Sequence, residues 1–279
     1  MSELIVYVEQ IGTGPPEVAV VGAIHGDEPS GAHAVEELLA ADLDPAGSVT
    51  LVLANETALE RGVRYVETDL NRAFPPRGTD PTAFEFDDTH EGRLAERLYD
   101  LLSDKLTLAI HSTQSHPEPF AVVVEPDTRR LEVCAALPVT AVVDSTEPSE
   151  GRMLEAVPTV EVEVGHQGSA AAARNAVELS RAFLAATGAV SAPTTTTEKP
   201  LYRLDRPIPK PADREYEVVV DNFEVVPAGE PFASVDGEPW SAETPFVPVL
   251  VSAEGYEDMF GYAATRVGSV TAEGVVDYD

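Results

Sequence analysis

The run "VVGAIHGDEPSG" (residues 20–31) places an imidazole, His25, three residues before a carboxylate, Glu28, in a glycine- and proline-rich turn. Farther along, His111 follows the apolar run "LTLAI", and Glu163 lies near the end of "TVEVEVG". Two imidazoles, a carboxylate ligand and a second carboxylate are the parts of a hydrolytic zinc site. Three protein ligands leave one coordination position open to water, and the metal lowers the pKa of that water towards ~7. A nearby carboxylate can then take the proton and later deliver it to a leaving amine. Each residue also has a bland reading. His25 suits a turn, Glu28 a helix N-terminus, His111 a structural role and Glu163 a solvated edge. A fourth cluster, Arg64, Asp69, Asn71 and Arg72 in "VRYVETDLNRAFPP" (63–76), offers a guanidinium fork for a carboxylate. Asp69 itself reads as a pin for this loop, through Asp–Arg pairing.

These residues need strands and helices to hold them. Strand-like runs occur at 3–9, 17–23, 48–54, 106–111, 120–125, 139–144 and 159–165. Helical patterns lie between them, in "SGAHAVEELLAAD", "EGRLAERLYDLLSDK" and "SAAAARNAVELSRAFLAAT", the last stopped by Gly188. This alternation predicts an α/β domain over residues 1–190, with a mixed, mostly parallel sheet flanked by helices. In open sheets of this kind, sites gather at the carboxyl ends of strands, and His25, His111 and Glu163 all fall there. The segment "SAPTTTTEKP" (191–200) reads as a linker. Residues 201–279 carry short alternating strands broken by proline and glycine, and predict a small C-terminal β domain.

Composition bounds the partners. Eighteen basic residues stand against 49 acidic ones, a net charge of −31, with Lys105, Lys199 and Lys210 as the lysines. Such a surface repels nucleic acid and anionic membrane, so neither is expected. The acidity is spread along the chain, as adaptation to high salt would have it, so it speaks of habitat rather than activity. The start, "MSELIVYVEQ", shows neither a basic leader nor an apolar signal core, and a cytoplasmic location is expected. The single cysteine, Cys134, rules out an internal disulfide framework and reads as a buried small hydrophobe.

Taken in order, "GAIHGDEPSG", "DLNRAFP", "AIHST" and "EVEVGHQG" resemble the succinylglutamate desuccinylase/aspartoacylase family, part of the zinc-carboxypeptidase-like superfamily. The resemblance covers roughly residues 16–188, with a looser echo near "VSAEGYEDMFGYAA". It implies one Zn2+ per chain held by His25, Glu28 and His111, with Glu163 as general base. It implies that Arg64 helps zinc to stabilise an oxyanion, while Asn71, Arg72 and Arg152 contact a substrate carboxylate or carbonyl. Tyr256 would reach the site from the C-terminal domain. The implied activity is deacylation of a small N-acyl amino acid. There are two departures: the spacing from Arg152 to Glu163 is one residue longer than the family pattern, and some members carry an Asp before the histidine, where this chain has Ala109 two residues before His111.

Two other readings stay open. One is a zinc carboxypeptidase acting on peptides, which a C-terminal domain that narrows the groove would exclude. The other is a non-catalytic protein that binds a metal and a small acidic ligand, for which Glu163 would be superfluous. Acyl group, amino acid and a possible homo-oligomer are left undetermined. The charge itself generates a prediction. Raising KCl from about 0.1 M to about 1 M shortens the Debye length from roughly 10 to 3 Å, and should raise the melting temperature by relieving self-repulsion. Differential scanning calorimetry checks this, with sucrose as the uncharged control.

Overall fold

The computed structural model describes residues 6–80, 83–147, 152–255 and 258–276. Strands β1 (Tyr7–Gly12) and β2 (Glu17–Gly22) precede helix α1 (Pro29–Ala40), β3 (Ser48–Leu53) and α2 (Glu56–Arg61). A 3-10 turn (Leu70–Arg72) leads to α3 (His90–Leu102), β4 (Leu106–Thr113), β5 (Phe120–Val123) and α4 (Thr128–Ala136). Then come β6 (Val142–Asp144), α5 (Arg152–Ala156), β7 (Thr159–His166) and α6 (Ala170–Ala186). The rest is β8 (Lys199–Pro209), β9 (Tyr216–Val218), β10 (Pro231–Val235), β11 (Glu238–Ser241), β12 (Val247–Val249), β13 (Met259–Thr271) and β14 (Gly274–Val276).

The main sheet runs β1-β3-β2-β4-β7-β5-β6-β8-β13-β12, with β14 on β13. Its centre, β3-β2-β4-β7, is parallel, while β1 and β5 pair antiparallel to β3 and β7. The mixed, mostly parallel sheet expected over the first 190 residues is therefore present. Every residue of β3 and β4 is buried, as strands covered on both faces must be.

Strand parity sorts the side chains between two cores. Val18 and Val20 of β2, with Leu108 and Ile110 of β4, pack towards α1, α4 and α6. Ala19, Val21 and Ala109 face the other way, against Leu94 and Leu98 of α3, Leu70 and Met153. Residues 111, 161 and 163 share the parity of this second face. The 3-10 turn and α3 therefore cover the side of the sheet on which the chemical residues emerge.

Past residue 190 the chain runs without regular structure to β8, where a linker is expected. Hydrogen bonding then crosses that segment. β8 pairs parallel to β6 and β13 pairs antiparallel to β8 along ten residue pairs, so these C-terminal strands extend the main sheet. A separate antiparallel sheet, β11-β10-β9, packs through Phe232 and Trp240 against Phe260 of β13. Of the expected strand at 3–9, residues 3–5 lie outside the described residues; the described strand β1 pairs with β3 from Tyr7 on Leu53 to Gly12 on Ser48. No helix among the described residues is long and apolar enough to cross a membrane.

The loop that carries Arg64 is held by one buried acid. Glu91, in the first turn of α3, is fully buried. It accepts the backbone N–H groups of Val66, Glu67 and Thr68 at 2.6, 3.0 and 3.1 Å, and the Asn55 amide at 3.0 Å. Burial opposes its charge, but these donors outweigh that and lower its pKa. Glu91→Ala strands three backbone donors, so urea unfolding should show a loss of about 3 kcal/mol or more.

Candidate metal centre

Strand β2 ends at Gly22, and Ala23 turns the chain out of the sheet with φ +54°. Gly26 then passes so close to α2 that a Cβ would lie 2.1 Å from the Ala58 carbonyl carbon. Only glycine fits there, and its N–H is tied to Arg64 O at 3.1 Å. This turn delivers His25 and Glu28. Glu28 occupies the N-cap position of α1 and makes no capping hydrogen bond. Its carboxylate turns instead to the histidines.

His111 emerges near the end of β4, and the parallel register with β7 sets it opposite Glu163, with Ala109 opposite Glu161. His25, Glu28 and His111 converge, all three buried, as a group able to hold a metal ion. Glu28 Oε1 lies 2.8 Å from His25 Nδ1, and Oε2 lies 3.1 Å from His111 Nδ1. The two Nδ1 atoms are 3.2 Å apart. Ligands on a tetrahedral zinc ion with bonds of ~2.0–2.1 Å are separated by roughly 3.3 Å. The two imidazole nitrogens lie near that edge length, and each faces one oxygen of the Glu28 carboxylate, so the donor set fits zinc.

The remote nitrogens of both rings face carboxylates. His25 Nε2 is 3.2 Å from Asp69 Oδ1, and His111 Nε2 is 3.4 Å from Glu161 Oε2. Asp69 also pairs with Arg64 at 3.3 Å and accepts the Asn71 N–H at 2.9 Å. It is thus the expected loop pin and, beyond that, the orienter of a histidine. Reading the sequence for function missed this second role, and missed Glu161 altogether. The period-two spacing of Glu161 and Glu163, which puts both on one face of β7, was the available signal.

The charges interlock. Burial opposes a charge on Glu28, but His25 and His111 outweigh it and hold this carboxyl well below the usual range. Burial likewise pulls His25 down, and Glu28 with Asp69 overcomes it to raise the imidazole to about 9. For His111, Glu161 and Glu28 overcome burial in the same direction. Glu163 goes the other way: burial, then the charge of Glu28, pushes it up to about 8. A cation among the ligands favours the charged form of that carboxylate.

A cavity of about 980 Å³ opens in front of these groups. Arg64, Asn71, Arg72 and Glu163 line it, and Leu204, Val249, Met259 and Tyr262 of the C-terminal strands line it too. Arg64 donates to Glu28 Oε1 at 3.2 Å as well as to Asp69. The Asn71 side chain hydrogen-bonds Glu161. Arg152 opens α5, but its side chain and the whole of Tyr256 lie outside the described residues. Cys134 is buried in α4, and burial raises its thiol to about 12, as an inert core residue requires.

Comparison with known proteins bears on this site. Residues 15–187 match the family model described as the succinylglutamate desuccinylase/aspartoacylase catalytic domain. An N-acyl-aromatic-L-amino acid amidohydrolase (carboxylate-forming) of Xenopus tropicalis is 25% identical over 294 residues, spanning 90% of this chain and 92% of the relative. The structure of murine aminoacylase 3 superposes with a TM-score of 0.73 at 20% identity, over 96% of this chain and all of that one. Succinylglutamate desuccinylase from Vibrio cholerae gives 0.73 at 19% identity, over 98% and 89% of the two chains. The two structures establish the shared fold.

Metal binding at Nδ1 must displace imidazole protons. Because His25 holds its proton up to about pH 9 in the metal-free protein, apparent zinc affinity should keep rising from neutral pH to about 9. An unperturbed histidine site would level off above ~6.5. Competition titration against a chromophoric chelator across this range checks the sign.

Proposed function

We propose that this chain, which belongs to the succinylglutamate desuccinylase/aspartoacylase family, is a zinc-dependent hydrolase of the amide bond of an N-acyl amino acid. The observation that carries the reading is the convergence of His25, Glu28 and His111 into one buried group, beside the buried carboxylate of Glu163. Zinc held there supplies acidified water and a Lewis acid for the amide carbonyl. Glu163 takes a proton from the attacking water and returns it to the amine nitrogen as the C–N bond breaks. Arg64 stabilises the developing oxyanion. Arg72, with Asn71 beside it, holds the substrate carboxylate, and the family resemblance adds Arg152 to that role.

The rest of the cavity narrows the substrate. Val122, Val143, Leu154, Val249 and Met259 form an apolar stretch of its lining. Burying a large apolar side chain there contributes about 1.5–3 kcal/mol, which an aspartate or glutamate side chain forgoes. We therefore place N-acyl amino acids with apolar side chains ahead of acetyl-aspartate and succinyl-glutamate. The C-terminal strands contribute Leu204, Val249, Met259 and Tyr262 to one wall of the cavity, which supports a small-molecule substrate over a peptide.

The test is amine release from a panel of N-acyl amino acids in molar KCl, with zinc and then with chelator. Chelator-sensitive release, fastest with apolar members, is the expected result. Glu163→Gln should bind zinc as the parent does and lose roughly 100-fold or more of turnover. Full turnover in that variant would overturn the assignment of the base. Peptide cleavage without release from any panel member would shift the reading to a peptidase.

A further inference from the structure

When an imidazole gives its Nδ1 lone pair to a metal, its proton sits on Nε2. A buried N–H needs an acceptor. For His25 that acceptor is Asp69. For His111, an Asp two residues earlier on the same strand would serve, but this chain has Ala109 there. The β4–β7 register sets Ala109 directly opposite Glu161. Glu161 Oε2 stands 3.4 Å from His111 Nε2, and both atoms are buried with no hydrogen-bond partner in the described structure. Two unsatisfied buried atoms of complementary type thus face each other across two strands. Asn71 neighbours the same carboxylate.

We infer that Glu161 is a positioning residue for His111. It accepts the Nε2 proton, selects the tautomer that leaves Nδ1 to the metal, and stands in, from β7, for an acid that β4 lacks. The inference rests on the zinc site proposed above. It gives the short turn at 69–71 a double task. Asp69 orients one histidine directly, and Asn71 orients the other through Glu161. Glu161 is neither ligand nor base in this arrangement, because it faces the nitrogen remote from the ligand cluster. Partners of this kind commonly account for about 10- to 100-fold in metal affinity.

The experiment compares zinc dissociation constants, by chelator competition, for the parent, Glu161→Ala and the double variant Ala109→Asp/Glu161→Ala. Melting curves confirm that each is folded. Glu161→Ala should bind zinc about 10- to 100-fold more weakly, and moving the carboxylate to position 109 should restore most of the loss. Nitrogen-15 NMR of the zinc-loaded proteins should show the His111 Nε2–H hydrogen-bonded and protected from exchange in the parent and the double variant, and unprotected in Glu161→Ala. If Glu161→Ala does not fold, Glu161→Met, which has no acceptor oxygen, carries the same comparison. Parental zinc affinity in a folded position-161 variant overturns the inference, as does an unchanged His111 Nε2–H signal. A parent that binds no zinc at all overturns the zinc site itself, and the inference with it.

Discussion

The Glu28 carboxylate is the constraint on which the arrangement turns. An ionised carboxylate taken out of water costs several kcal/mol unless it is paired and hydrogen-bonded. Glu28 meets that condition with four partners: His25 and Arg64 on one oxygen, His111 and the Ser112 N–H on the other. Those partners come from the β2–α1 turn, the loop after α2 and strand β4. Satisfying one buried charge therefore locks three separate segments into a single geometry. Helix capping is forgone at that residue, and α1 begins without a side-chain cap.

Around Glu28 the site carries more acid than base. Glu161 and Glu163 are both raised in pKa, each first by burial, which is the response of carboxylates that lack enough positive charge nearby. Both imidazoles are pulled towards the protonated form, His25 by Glu28 and Asp69 and His111 by Glu161 and Glu28. The cluster thus asks for a cation, and the convergence of His25, Glu28 and His111 says where one fits. The wider acidity of the chain is a different matter. It is dispersed over the surface and affects solubility and stability, whereas the site's acids are buried and shielded from salt.

The sheet explains how so much polarity is tolerated beside a core. Alternate residues of β2 and β4 feed one apolar layer, which leaves the other face of the strands free to present His111. The C-terminal strands add β8 and β13 to the far edge of the same sheet. Their side chains then line the cavity. A single hydrogen-bonded framework holds both the metal ligands and the opposing apolar lining, so the distance between them is set by strand spacing rather than by a flexible hinge.

Much of this was legible in the sequence because it is local. Alternating periods gave the α/β class, and the placement of His25, His111 and Glu163 at strand ends pointed to one edge of one sheet. The short motifs "HGDE" and "DLNR" carried the family resemblance. What stayed hidden depends on partners far apart in sequence. Glu91 shows only as a polar residue at a helix start until it is found binding the N–H groups of residues 66–68. Asp69 shows its bond to Arg64, five residues away, more readily than its bond to His25, 44 away. Glu161 was overlooked because parity says which face a strand residue takes, not which strand lies beside it. Likewise the strands past residue 198 were recognisable as strands, but not as the continuation of the main sheet. Local periodicity determines the type of element and the face of each residue. Pairing between distant strands, which costs chain entropy and is decided by the packing of the whole core, determines which acid meets which histidine.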